Sequence, residues 1–254
     1  MPDDILDLWP RAPASGTDWL AELSQDDGLT GYEAPGRPDA AWVLGGMYER
    51  GETAGDSANH AQSRSEHPGP GWERLRWTEL AARIGDPVVP QGLYPCFRCF
   101  PSAKEAGIQP GSIEWPAEGS LDRPTWNQLI RFLTAHSPQG ADTDCLAYYN
   151  PIITQDFEKG HVRSGRLGHA QPLFDNPDIL YTPSNLWAAD RSWVVCTDYD
   201  LWGTKVCGPR PLIEALLTDP EIEAVRLPWT TWGRAGHRDP VDRSRHGTRN
   251  RPVE

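Results

Sequence analysis

The most regular alternation of apolar and polar positions lies within residues 183–229. In residues 192–198, Trp193 and Val195 point to one side of an extended chain and Val194 points to the other. β-Branched and aromatic residues in this pattern favour a β-strand. Because apolar side chains occupy both sides, we expect a strand in the middle of a sheet.

The residues that follow predict a hairpin covered by a helix. Turn-forming residues at 199–203 separate the first strand from a second short strand at 204–207, so the loop is longer than two residues. Pro211 suits the first turn of a helix, and residues 212–217 carry an apolar stripe at helical spacing. Residues 222–227 alternate again, which predicts a last strand.

A second clear helix is predicted at residues 121–136. Asp122 can accept the free N–H groups of its first turn. Its apolar face is formed by Trp126, Leu129, Ile130 and Leu133. Shorter patterns predict strands at residues 40–48, interrupted by two glycines, and at 93–100 and 145–149. They predict helices at residues 17–23 and within 72–84.

These elements predict an α+β fold with a mixed or antiparallel sheet, a few packed helices and one main domain. Residues 49–71 are polar and rich in Gly, Ser, His and Pro, which is typical of a flexible loop or linker. We therefore predict four parts: an N-terminal segment (1–48), the flexible loop or linker (49–71), an α+β core domain (72–232) and a disordered basic tail (233–254).

One stretch resembles a known family. The chain has NLW at residues 185–187, ADRSW at 189–193, TDYD at 197–200 and TKVCG at 204–208. These motifs resemble the C-terminal pattern NLWxxADRxW…TDxD…TxVxG of an uncharacterised family of proteins from high-GC bacteria. A single tryptophan stands where that family usually has two, and Lys205 and Cys207 depart from it. The resemblance implies a fold and no activity, cofactor or functional residue.

Charge and composition narrow the possible partners. The net charge is −12; residues 233–254 carry six Arg and three acidic residues, a net +3, which leaves −15 for the rest. An acidic body favours a basic protein partner, or solubility alone, over a nucleic acid. No apolar run approaches the roughly 20 residues that cross a bilayer, and the N-terminus lacks the pattern of a signal peptide. Five cysteines, an odd number, indicate free thiols and a cytoplasmic location.

Two groups of residues are candidates for binding. Asp190 and Arg191 follow Asn185 and Trp187, and could form a pair that sets a loop, which we favour, or could line a recognition pocket. At the predicted hairpin, Asp198 and Asp200 precede Trp202. Two carboxylates could hold a divalent metal, although turn-forming aspartates are the favoured interpretation. The sequence indicates no resident metal or cofactor.

No assembled catalytic motif is found. The pair Cys96 and Cys99 lacks the second pair of a zinc ribbon, so we interpret both as structural thiols. His60 and His67 lie in the polar loop, where solvated side chains are favoured over metal ligands. The leading hypothesis is a non-enzymatic interaction module, for example an immunity-like protein that neutralises a basic toxin. The alternative is a small metal-dependent hydrolase or transferase that uses the hairpin carboxylates.

Overall fold

The computed structural model describes residues 5–25, 27–33, 39–52, 67–109, 111–157, 161–176 and 179–227. The helices are α1 (Ile5–Leu8), α2 (Asp18–Ser24), α3 (Trp77–Ile84), α4 (Arg123–His136), α5 (Pro151–Thr154) and α6 (Arg210–Thr218). The strands are β1 (Asp39–Leu44), β2 (Met47–Arg50), β3 (Trp72–Leu75), β4 (Ile113–Glu114), β5 (Asp144–Tyr149), β6 (His161–Arg166), β7 (Asn185–Ala188), β8 (Val194–Cys196), β9 (Gly203–Gly208) and β10 (Ala224–Arg226). None of the helices in these ranges is long and apolar enough to cross a membrane.

Seven strands form one antiparallel sheet in the order β10-β1-β9-β8-β7-β5-β6. The predicted central strand is confirmed: β8 lies between β7 and β9, and its residues are buried on both faces. The α+β fold with an antiparallel sheet is confirmed as well. β6 and β7 were not predicted. β6 escaped notice because it is polar and glycine-containing, as an edge strand can be.

One face of this sheet packs against α4 and α6. The predicted apolar side of α4 is buried, and it joins Val195 and Val206 in a continuous core. Asp122 is the residue that caps the helix: its Oδ2 accepts a hydrogen bond from the Thr125 N–H at 3.4 Å. The helix therefore begins and turns its side chains as the sequence pattern predicts.

A three-stranded sheet, in the order β3-β2-β4, forms a second layer. The chain passes from β1 to β2 at the predicted interruption, Gly45 and Gly46. The Gly46 N–H donates to Asp122 Oδ1 at 2.6 Å, and a Cβ on Gly46 would lie 2.5 Å from Arg74 Nη1. Only glycine fits this close approach, so the glycine pair divides one extended run between two sheets.

One prediction about the middle of the chain is wrong. Residues 93–100 do not form a strand; they make bends and a short 3-10 helix (Phe97–Cys99) that places Cys99 and Phe100 in a second apolar core. The helix predicted within residues 72–84 is confirmed: α3 begins at Trp77, and the strand Trp72–Leu75 precedes it. The Glu223 carboxylate accepts the Trp77 and Thr78 N–H groups, so the helix is capped by a residue remote in sequence.

Strand pairing joins the N-terminal segment and the predicted loop to the predicted core domain, across the boundaries at 48/49 and 71/72. β1 lies inside the main sheet between β9 and β10, and β2 pairs with β3 from the other side of the predicted loop 49–71. The predicted basic tail, residues 233–254, lies outside the described residues. So does most of the predicted loop, including His60.

Candidate functional site

The seven residues predicted as binding candidates fall into four places. Asn185 lies in the sheet, Trp187 and Arg191 line a surface hollow, and Asp190 lies in the turn beside it. The other three residues, Asp198, Asp200 and Trp202, belong to the loop of the β8–β9 hairpin.

Asn185 has a structural role. Its side chain is fully buried. Oδ1 accepts the Tyr32 N–H at 2.9 Å, and Nδ2 donates to the Tyr32 carbonyl at 2.8 Å. The Asn185 side-chain amide thus makes the two backbone hydrogen bonds that a neighbouring strand would make to Tyr32, and it fixes residues 27–33 to the sheet. A ligand cannot reach it.

The tryptophan hollow is a surface cavity with a volume of about 330 Å³, and it lies on the sheet face opposite α4 and α6. We define it by six of its lining residues: Asp18, Trp19, Glu22, Leu146, Trp187 and Arg191. Trp19 and Trp187 are 8% and 2% exposed and form its aromatic floor, whereas the two carboxylates and Arg191 are exposed. A hollow with an apolar floor and a charged rim has the composition of a recognition site.

The floor joins two distant parts of the chain. Trp19 comes from α2, and its ring meets Trp187 of β7 edge to face, with centroids 6.2 Å apart and an interplanar angle of 63°. Such aromatic pairs fix each other's orientation. The Trp19 Nε1 atom is buried and has no acceptor among the described residues, which is uncommon for a buried indole N–H.

Arg191 is held over the floor by an unusual turn. Its backbone N–H donates to the Ala188 carbonyl at 2.7 Å, and its φ is +60°. The other non-glycine residues with positive φ in the described ranges, Gln25 and Gln155, are helix C-caps. Arg191 has no such role, yet it accepts a conformation that costs about 1–2 kcal/mol in an L-residue. Strain of this kind concentrates at functional positions.

The Arg191 guanidinium stacks on the aromatic floor. Its Cζ lies 4.9 Å from the centroid of the Trp19 ring. Within the described ranges it is in no ion pair. The Trp19 surface is therefore compatible with a guanidinium group, and cation–π attraction contributes about 0.5–1 kcal/mol at an exposed site.

Asp18 and Glu22 form the acidic side of the rim. They are four residues apart on α2, so their side chains are neighbours on the helix surface. Both are exposed, and neither is in an ion pair with a described residue. Like charges at this spacing destabilise a helix by about 0.2–0.5 kcal/mol. Like charges that have no described ionic partner, beside an aromatic floor, are suited to a cationic ligand.

Asp190 belongs to the turn and not to the hollow. Its Oδ1 accepts the Ser192 N–H at 2.9 Å, and the side chain is otherwise exposed. Within the described ranges it makes no ion pair with Arg191. The predicted Asp190–Arg191 pair is therefore absent there, and the turn is instead set by backbone hydrogen bonds and this carboxylate.

The two hairpin carboxylates interact within one loop. Burial, followed by a hydrogen bond and the charge of Asp200, raises the pKa of Asp198 to about 7, although hydrogen bonds from the Asp200 backbone and from Thr30 act in the opposite direction. The Asp200 N–H also donates to Asp198 Oδ1 at 3.3 Å, as in the predicted turn. The pair lies at the opposite end of β8 from the tryptophan hollow.

A buried lysine lies near this pair. Lys205 is 4% exposed, and its Nζ lies 3.7 Å from Glu33 Oε1. Negative charge on Glu33 and Asp198 also raises the pKa of Tyr94, after the larger effect of burial. This cluster could not be predicted from the sequence, because Glu33 and Lys205 meet only in the folded chain. Trp202, in contrast, is buried in the second core and stacks on Trp115 with centroids 5.3 Å apart.

The cysteines are free thiols, and Cys145, Cys196 and Cys207 are buried in strands. Burial raises the pKa of Cys99 to about 11, which suppresses the reactive thiolate at neutral pH. In the described ranges, no group of three or more His, Cys, Asp or Glu side chains is arranged to hold a metal ion. At the hairpin, Asp198 and Asp200 supply two carboxylates, one fewer than such a group requires.

Comparison with known proteins adds no further constraint: no protein-family model, curated protein or solved structure matches the chain. The resemblance of residues 185–208 to a bacterial family stays a prediction. The candidate function must therefore come from the geometry of the hollow and the hairpin.

Proposed function

We propose that the chain is a non-enzymatic interaction module that binds a basic segment of a partner protein at the tryptophan hollow. The observation that carries the proposal is the composition of the hollow: two tryptophans below, and two carboxylates without a described ionic partner beside them. Aromatic surface and carboxylates together bind an arginine or lysine side chain through cation–π attraction and ion pairing.

The charge of the whole chain supports the same partner. A net charge of −12 attracts a basic protein over a distance and speeds association at low salt. It also opposes binding of a nucleic acid, since phosphates require clustered Lys and Arg. An immunity-like protein that neutralises a basic toxin or nuclease is one concrete form of this function. The free thiols of all five cysteines support a cytoplasmic location.

Arg191 distinguishes a cationic ligand from an anionic one. Its guanidinium already covers part of the Trp19 ring. If the ligand is cationic, Arg191 competes with it and repels it. If the ligand is anionic, Arg191 attracts it. The Arg191→Ala variant thus strengthens binding in the first case and weakens it in the second.

Affinity capture from the native host's lysate tests the proposed partner. We expect a stoichiometric basic protein at about 50 mM salt that is lost at about 300 mM, because screening weakens exposed charge pairs. The double variant Asp18→Asn, Glu22→Gln should lose this protein. Its control, Glu105→Gln with Glu221→Gln, removes the same charge at exposed positions outside the hollow. Equal capture by both double variants would contradict the assignment of the hollow.

A second candidate function rests on the hairpin. We propose, as the alternative, a small metal-dependent hydrolase or transferase in which Asp198 and Asp200 bind the metal or exchange protons; the pKa of Asp198 near 7 supports it. Thermal melting with Mg²⁺, Mn²⁺ and Zn²⁺ tests this alternative. A cation that raises Tm in the natural chain and not in Asp198→Ala or Asp200→Ala would support it. Unchanged melting with all three cations would count against it.

A further inference from the structure

The turn at residues 96–99 brings two cysteines together. The Cys99 N–H donates to the Cys96 carbonyl at 2.9 Å, which closes a 3-10 turn. Cys96 precedes this turn as its N-cap and Cys99 is its third residue, two positions whose side chains lie on the same side of a helix start. In a strand, residues three apart would point to opposite faces. The turn that replaces the predicted strand therefore places both thiols on one side.

The geometry of the turn suits a disulfide. A turn closed in this way keeps the two Cα atoms within about 7 Å, and a disulfide joins Cα atoms about 4.4–6.8 Å apart. The Cys99 sulfur also contacts Cys96. Burial raises the pKa of Cys99 to about 11; a hydrogen bond from the Cys96 backbone lowers it, whereas the charge of the Cys96 side chain and a hydrogen bond with it raise it. The two side chains are thus already in contact in the dithiol.

The other three cysteines, which also lie in the described ranges, are not placed to form such a bond. Cys145 belongs to the core under α4 and α6, whereas Cys196 and Cys207 lie on the opposite face of the sheet. Cys196 pairs with Lys205 and Cys207 pairs with Val194, so the two cysteines are diagonal neighbours. Diagonal neighbours are about 7–8 Å apart, farther than the Cα atoms of a disulfide. A disulfide within the folded chain is therefore confined to the turn.

The two thiols of the turn differ in access. Cys96 is partly exposed, whereas Cys99 is fully buried in the second core, where its Sγ–H donates to the Tyr94 carbonyl at 3.3 Å. An oxidant in solution therefore meets Cys96 first. A disulfide is uncharged, so it is compatible with the apolar surroundings of Cys99, and its formation gives up only a weak S–H donor.

We propose that Cys96 and Cys99 form a redox-active dithiol, which a small disulfide such as oxidised glutathione converts reversibly into an intramolecular disulfide. In cytoplasmic proteins, disulfides are usually transient and either catalytic or redox-sensing. The turn shares no residue with the tryptophan hollow, so this proposal does not depend on the proposed function.

The exchange proceeds in two steps. The Cys96 thiolate attacks one sulfur of oxidised glutathione, the bond between the two glutathione sulfurs breaks, and one glutathione leaves. Cys99 then loses its proton, attacks the Cys96 sulfur and displaces the second glutathione. Each leaving thiolate takes up a proton of the kind that the attacking cysteine released, so two electrons pass from the dithiol to one oxidised glutathione, which becomes two reduced molecules. Because Cys99 is buried, we expect the second step to be the slower one.

Oxidation of the full-length native chain with oxidised glutathione tests the proposal. After an acid quench, unfolding and alkylation, the number of free cysteines should fall by two, from five to three. Arg98 lies between the two cysteines, so trypsin separates them into residues 84–98 and 99–104. Mass spectrometry without reductant should find these two peptides joined, and an excess of reduced glutathione should separate them. A count that stays at five, or a bond to a different cysteine, overturns the proposal.

Three variants distinguish a dithiol from two independent thiols. Cys99→Ser retains a donor for the Tyr94 carbonyl and should keep glutathione on Cys96, because the second step is lost. Cys96→Ser should leave Cys99 as a thiol, because no accessible thiol starts the exchange. Cys145→Ala, a control at another buried cysteine, should still give the joined peptides. If Cys99→Ser does not fold, the peptide map of the natural chain decides: glutathione on Cys96 without joined peptides contradicts the proposal.

Discussion

The two faces of the seven-stranded sheet are covered in different ways. One face lies under α4 and α6 in a continuous apolar core. The other is covered by α2 and residues 27–33 at one place and by the second core at another. The closed face holds the fold together. The face covered in pieces contains the tryptophan hollow and the buried Lys205, so the proposed binding site lies where the cover is incomplete.

The largest effect should come from the closed face. Leu129 is fully buried against the sheet, and Leu129→Ala should lower the free energy of unfolding by about 2–5 kcal/mol, as for other buried leucines. Urea denaturation measures this change. Asn127→Ala, on the opposite side of α4, is the control and should change it by under about 0.5 kcal/mol. A neutral Leu129→Ala would mean that α4 does not form the core.

On the second face, the largest effect should follow loss of Asn185. Asn185→Ala leaves the Tyr32 N–H and carbonyl without their partner. Unsatisfied buried groups cost about 1–3 kcal/mol, which urea denaturation should show. The exposed variant Glu105→Ala, away from this contact, is the control and should cost under about 0.5 kcal/mol. If instead Asn185→Ala is stable and loses partner binding, the residue is part of the site and the structural interpretation is wrong.

The hairpin on this face should make stability depend on pH. Because the pKa of Asp198 rises from 3.8 to about 7 on folding, the folded chain binds more protons than the unfolded chain between these values. The free energy of unfolding should therefore fall as pH rises from about 4 to 7. We expect roughly 1–2 kcal/mol, less than the full shift implies, because solvent screens a partly exposed carboxylate.

Urea midpoints at pH 5 and pH 8 measure this dependence. Asp198→Asn should remove it and be more stable than the natural chain at pH 8. Asp200→Asn should reduce it, since Asp200 contributes to the raised pKa. An identical pH dependence in Asp198→Asn would show that another group titrates.

The smallest stability effect should come from the rim of the hollow. Arg191→Ala loses the stack on Trp19 and keeps the positive φ, so it should cost about 0.5–1 kcal/mol. Arg191→Gly also loses the stack but relaxes the backbone, so it should be about 1 kcal/mol more stable than Arg191→Ala. Thermal unfolding compares them. Equal stabilities would show that the turn carries no strain.

The closed face could be predicted from sequence because its signals are local. Trp126, Leu129 and Asp122 define α4 through spacing and capping within one segment. The hollow could not be predicted in full, because its floor joins Trp19 and Trp187, which no local pattern connects. Trp187 and Arg191 were candidates from their residue types, whereas Trp19, Asp18 and Glu22 appeared only as part of a short helix.

The strand predicted at residues 93–100 failed for a related reason. Aromatic residues favour strands in general, but here Cys99 and Phe100 enter the second core through a 3-10 turn. The burial of Lys205 within its predicted strand was likewise unexpected, because Glu33, whose Oε1 lies 3.7 Å from the Lys205 Nζ, approaches only in the folded chain. Tertiary contacts decided both cases.

The central claim is that the tryptophan hollow binds a cation. Titration of the chain with a capped hexa-arginine peptide tests this claim most directly. Two exposed ion pairs of about 0.7 kcal/mol each correspond to a tenfold change in Kd. The account predicts about tenfold weaker binding for Asp18→Asn with Glu22→Gln, an unchanged Kd for Glu105→Gln with Glu221→Gln, and tighter binding for Arg191→Ala. Weaker binding for Arg191→Ala, with no effect of the carboxylate variants, would contradict it.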